Sequence, residues 1–85
     1  MNTVWKFNLS PGDESEIEMP VGAKVLMAGE QNGVWCLWAS VDPDAMKERR
    51  LFRITGTGHP IPDGVKHIAS FQQPPFVWHV WESLK

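Results

Sequence analysis

Asn32-Gly33 limits what this chain can fold into more than any other pair of residues in it. A two-residue type I′ turn needs positive φ at both central positions, and Asn-Gly reaches that conformation at little cost. Apolar-rich runs flank the pair, so residues 24–31 and 34–41 are expected to form a hairpin. The loop length also sets a register in which Gln31 faces Val34, Ala28 faces Leu37, Met27 faces Trp38 and Leu26 faces Ala39. Segment 34–41 is apolar on both faces, with Val34, Cys36 and Trp38 on one and Trp35, Leu37, Ala39 and Val41 on the other. It reads as a central strand that needs cover on each side, from a folded-over sheet, a small barrel or a second subunit.

The same period of two recurs elsewhere. Trp5, Phe7 and Leu9 alternate with Lys6 and Asn8 ahead of a turn at Ser10-Pro11-Gly12-Asp13. Ile17 and Met19 alternate with Glu16 and Glu18 in a short strand stopped by Pro20. The polar stretch from Asp42 to Arg50 reads as a long hairpin loop holding at most one helical turn, after which Phe52 and Ile54 resume the core pattern. Gly64 to Phe71 fits a strand or a short helical turn, Gln72-Gln73-Pro74-Pro75 is a turn, and residues 76–82 form a last strand. Trp78 and Trp81 lie on opposite faces of that strand, so one of them is a candidate for an interface. The expected fold is a single all-β domain over residues 1–85: a small antiparallel sheet, sandwich or partly open barrel of five to six strands.

Size and charge then exclude several function classes. An 85-residue chain has room for one limited core, and five Trp with four Phe supply more rings than that core needs, which points to a homo-oligomer. A net charge of −2 offers no basic field for long DNA or RNA. The lone Cys36 rules out an internal disulfide and fits a reducing cytoplasm, and no apolar run is long enough to cross a membrane as a helix. His59, His67 and His79 are spaced by eight and twelve residues, which matches no compact ligand motif, so neither a metal nor a cofactor is expected. Catalysis is not expected either. Cys36 sits in an apolar strand, Asp42 and Asp44 are explained by turn capping, and Ser10, Ser40 and Ser70 lack a nucleophile-elbow context.

The segment richest in ligand-type groups is Arg53-Ile54-Thr55-Gly56-Thr57-Gly58-His59-Pro60-Ile61-Pro62. If it stays extended, Leu51, Arg53, Thr55, Thr57 and His59 share one face, and Gly56 and Gly58 let a backbone or ligand come close. Arg53, Thr57 and His59 with free glycine amides are suited to phosphate or ribose. The plainer reading stands beside it: the glycines permit a bulge and His59 caps a loop carbonyl.

The order Val4-Trp5-Lys6, Met19-Pro20-Val21-Gly22-Ala23-Lys24-Val25-Leu26, Asn32-Gly33 through Leu37-Trp38-Ala39 to Val41-Asp42-Pro43, Arg53-Ile54, Gly56-Thr57-Gly58-His59-Pro60-Ile61-Pro62 and Trp78-His79-Val80 resembles an uncharacterised family of short proteins common in phage and prophage genomes. The likeness spans nearly the whole chain. It implies a small β fold and an origin among phage accessory proteins, many of which bind host defence proteins or sequester nucleotide immune signals. The expectation it raises is a non-enzymatic homo-oligomeric sponge in the host cytoplasm, holding a cyclic nucleotide or ADP-ribose-type signal without cutting it. Arg53 would pair with phosphate, Thr57 and the Gly56 and Gly58 amides with phosphate or ribose oxygens, and His59 with a ribose or base edge. Thr55 belongs to the same face, and Trp35 or Trp78 would stack on the base. The alternatives are a protein-binding inhibitor of a host defence enzyme and a structural accessory of the virion.

Overall fold

A computed structural model describes residues 1–10, 12 and 14–84. Seven strands run through it: β1 (Thr3–Asn8), β2 (Glu14–Pro20), β3 (Lys24–Gln31), β4 (Val34–Val41), β5 (Lys47–Gly56), β6 (Val65–Gln73) and β7 (Phe76–Ser83). All pairings are antiparallel, in a three-stranded sheet of order β1-β4-β3 and a four-stranded sheet of order β2-β5-β7-β6. The inner faces of the two sheets meet as a sandwich. Phe52 and Val80 from one and Leu37, Ala39 and Val41 from the other are essentially inaccessible to solvent.

The Asn32-Gly33 hairpin forms as expected, with φ of 54° and 82° at its two turn residues, and β4 is the centre of its sheet. Gln31 pairs with Val34, Ala28 with Leu37 and Met27 with Trp38. The expected Leu26–Ala39 pair does not form. The register slips between Val25 and Met27, Ala39 pairs with Val25, and Leu26 stands half exposed in a bulge. Continuing the even ladder would have kept Leu26 on the inner face. The bulge instead gives Val25 that partner and leaves Leu26 out of the ladder.

Two other expectations give way. Lys47–Arg50 is not loop but the start of β5, pairing with Pro20, Met19, Glu18 and Ile17, so the connection after β4 shrinks to residues 42–46 and crosses between the sheets. Its charges are compatible with a strand because Arg49 lies in the open near Glu16 and Glu18, while Arg50 finds a carboxylate inside. Of the two readings of Gly64–Phe71 the strand holds, beginning at Val65, but its ladder extends to Gln73 and leaves only Pro74-Pro75 to turn, which brings the strand total to seven rather than five or six. No helix occurs among the described residues. The turn expected at Ser10-Pro11-Gly12-Asp13 includes Pro11 and Asp13, which lie outside the described residues.

Polar side chains clamp the two ends of β7 across the core. Near its start, the Gln73 amide oxygen accepts the indole N–H of Trp35 at 3.2 Å and of Trp78 at 3.1 Å, one ring from each sheet. Near its end, Arg50 donates Nε and Nη2 to the Glu82 carboxylate at 2.6 and 2.8 Å and Nη1 to the Ala23 carbonyl at 2.6 Å. The hydrogen bond to Glu82 raises the guanidinium above its ordinary pKa against the opposing effect of burial, so it stays charged.

Candidate functional site

The glycine-rich segment leaves the sheet at Gly56. Strand pairing ends with Gly56 opposite Trp78, the Gly58 φ turns to 92°, and the His59 N–H returns to the Gly56 carbonyl at 3.1 Å. The backbone therefore does not stay extended. Arg53 and Thr55 share the outer face of the four-stranded sheet as expected, but Thr57 and His59 are placed by the turn rather than by strand alternation.

Two cavities share Gly56, Thr57 and His59 as a common wall. One, of about 420 Å³, is completed by Pro75, Phe76, Val77 and Trp78. The other, of about 290 Å³, is completed by Thr55, Gly58, Ile61, His79 and Trp81. Thr55, Gly56, Thr57, Gly58, His59 and Trp78 are thus brought together around the turn. Arg53 and Trp35 are not: neither lines these cavities. The Arg53 Nη2 donates to the Glu14 carboxylate of β2 at 2.6 Å, and Trp35 lies on the inner face, its ring 4.9 Å from that of Trp78.

Gly56 is closely packed on its Trp78 side. A Cβ there would lie 3.2 Å from Trp78 Cζ3 and 3.4 Å from His59 Nδ1. The exposed His59 ring can swing aside, but Trp78 is held by Gln73 and by Trp35. Gly56→Ala is accordingly expected to lower stability by about 1–3 kcal/mol, the usual cost of overpacking, read as a lower thermal midpoint.

Sequence reasoning missed the polar row beside the turn. His67 Nε2 lies 2.9 Å from Ser70 Oγ, Ser70 Oγ lies 2.8 Å from His79 Nδ1, and His79 Nε2 lies 2.9 Å from Thr57 Oγ1. The Val77 carbonyl lies 3.4 Å from Thr57 Oγ1, and which group donates at each step of the row is set by the tautomers of His67 and His79. Trp81 adds an indole N–H to Thr55 Oγ1 at 2.9 Å, with its ring edge-on to His67. Counting back from a two-residue Pro74-Pro75 turn would have placed Ser70 opposite His79. The register shift between His67 and Ala69 hides the place of His67 from such a count.

This row can present hydroxyls and imidazoles to a polar ligand. Ser70 and His79 stand at the distance of a nucleophile and its base. Ser70, however, lies mid-strand on an open sheet face, and the far nitrogen of His79 meets a neutral hydroxyl rather than a carboxylate. Around the turn, by contrast, rings and hydroxyls border two open clefts. The family model described as Domain of unknown function (DUF7352) matches residues 1–85. No curated protein and no solved structure matches the chain.

Proposed function

We propose, starting from a chain that belongs to the DUF7352 family, that the turn at residues 56–59 and the start of β7 form a binding site for a small nucleotide-type ligand. The observation that carries this reading is the cavity of about 420 Å³ whose wall includes Phe76, a ring left 56% exposed beside Trp78 at a centroid distance of 5.4 Å. An apolar slot edged by an exposed ring, with hydroxyls a short way off, suits a planar base carrying a sugar. The base enters against Phe76 and Trp78, and Thr57, His59 and the glycine amides take the sugar edge. Arg53 lines neither cavity and is paired with Glu14, so the ring supplies more of the affinity than the phosphate does.

The reading is capture without turnover, by an accessory protein of phage or prophage origin that sequesters a nucleotide-derived immune signal in the host cytoplasm. Its test is calorimetric titration with a panel of nucleosides and cyclic and ADP-ribose-type nucleotides, followed by heat release and identification of what was bound. An intact ligand is expected. Phe76→Ala is expected to weaken binding roughly five- to 150-fold with an unchanged thermal midpoint, since stacking contributes about 1–3 kcal/mol per base and the ring is mostly in solvent. A released product, or undiminished binding by the variant, would overturn the reading.

A second reading has its own observation. Val4, Met27 and Val34 are exposed on the outer face of the three-stranded sheet, around the half-buried Trp38. Such a face favours association with a second copy or with a host defence enzyme. Sedimentation of the purified chain, and capture from host lysate with and without Met27→Lys, separate these two from the nucleotide reading.

A further inference from the structure

Strands β3 and β6 border the two sheets on the same side of the sandwich, and each carries a register shift there, between Val25 and Met27 and between His67 and Ala69. Bulges recur where a strand is re-aimed around a site. The crevice between these two has a volume of about 280 Å³ and is lined by Lys24, Arg50, Lys66 and His67 with Val25 and Ile68 among the apolar groups. Its polar lining contains no carboxylate. Glu82 neutralises Arg50 from the adjoining cavity, which also holds Glu16 and Glu48. Lys24 and Lys66 have no ion-pair partner among the described residues, and Lys66 also borders the adjoining cavity with its three glutamates. Arg50 spends three of the five N–H donors of a guanidinium on Glu82 and Ala23 and has two left.

We propose that this crevice is a binding site for a phosphate-type oxyanion, free or carried by a small ester. Lys24 and Lys66 supply the charge from opposite sheets, and the remaining N–H groups of Arg50 give the floor a fixed direction. A guanidinium already oriented by a carboxylate and a carbonyl loses little freedom when it takes a further acceptor. The crevice stands apart from the proposed nucleotide site, since the two share no lining residue.

The test is the thermal midpoint of the full chain in inorganic phosphate, in glycerol phosphate and in chloride at matched ionic strength. Binding to the folded state raises the midpoint with ligand concentration. A rise is expected in one or both phosphate series, and the larger one identifies the source. Lys24→Ala with Lys66→Ala should weaken the apparent affinity at least tenfold while leaving the chloride midpoint in place, and Lys24→Arg with Lys66→Arg should retain it. No rise over chloride, or an equal rise in the alanine double variant, would overturn the site. Nucleoside titration without phosphate reads the other cavity alone, so either site can fail without the other.

Discussion

Glu82→Ala is expected to destabilise the protein by about 3–5 kcal/mol, because it leaves a guanidinium inside the sandwich without its counter-ion. The side chains of Arg50 and Glu82 are only 15% and 11% exposed. After the substitution, the Ala23 carbonyl is the one protein acceptor left to Arg50 among the described residues. Total stabilities of small domains run to about 5–15 kcal/mol, so this variant stands near the limit of folding. The Arg53–Glu14 pair provides the contrast, with the same 2.6 Å contact but exposures of 40% and 47%. Solvent screening limits its contribution to under about 1 kcal/mol, and Glu14→Ala should move a urea midpoint only slightly. Arg50→Met combined with Glu82→Leu should recover most of the loss, because an apolar pair avoids the desolvation that the charges incur. If urea unfolding gave similar midpoints for Glu82→Ala and Glu14→Ala, the interior pair would be contributing no more than a surface one.

Phe52→Ala ranks beside it. Phe52 is fully buried at the centre of β5, in the sheet whose inner face meets Leu37 and Ala39 of the other, and removing the ring leaves a void that surrounding strands cannot collapse to fill. The expected cost is about 3–5 kcal/mol, from the lost transfer free energy of the ring and the cavity left behind. Denaturant titration with circular dichroism measures it. The same chemical change at Phe76, a mostly exposed ring, should leave the midpoint almost where it was. A small effect at Phe52 would mean that the two sheets do not pack as described.

These contrasts mark what the sequence made legible. The central hairpin was readable because Asn32-Gly33 fixes both turn type and pairing, and its strand limits match the observed Lys24–Gln31 and Val34–Val41. The register failed at Leu26, where a bulge inserts an unpaired residue that alternation alone cannot announce. Lys47–Arg50 looked like a loop because charge resembles exposure, yet a strand with one open face and one interior carboxylate accommodates four charged residues in succession. The turn after Gly56 was visible as a place for close approach. Of what fills that space, His59 is brought in by the local turn, but Trp78 depends on the pairing of β5 with β7, which lie on either side of β6 in the chain and which local pattern does not encode. The hydroxyl–imidazole row was hidden for the same reason: Thr57, His67, Ser70 and His79 come from three separate segments and share no motif.

One amide oxygen on Gln73 receives an indole from each sheet, and its counterpart at the far end of β7 ties Arg50 to Glu82 and to the backbone of β3's approach at Ala23. Polar fasteners thus sit at both ends of β7, and the buried Ser15 Oγ of β2 adds another by accepting the Ser10 N–H at 2.7 Å. Sliding of one layer over the other would strain these fasteners together, so a guest at the 56–59 turn would meet a Trp78 ring already held by Gln73 and Trp35.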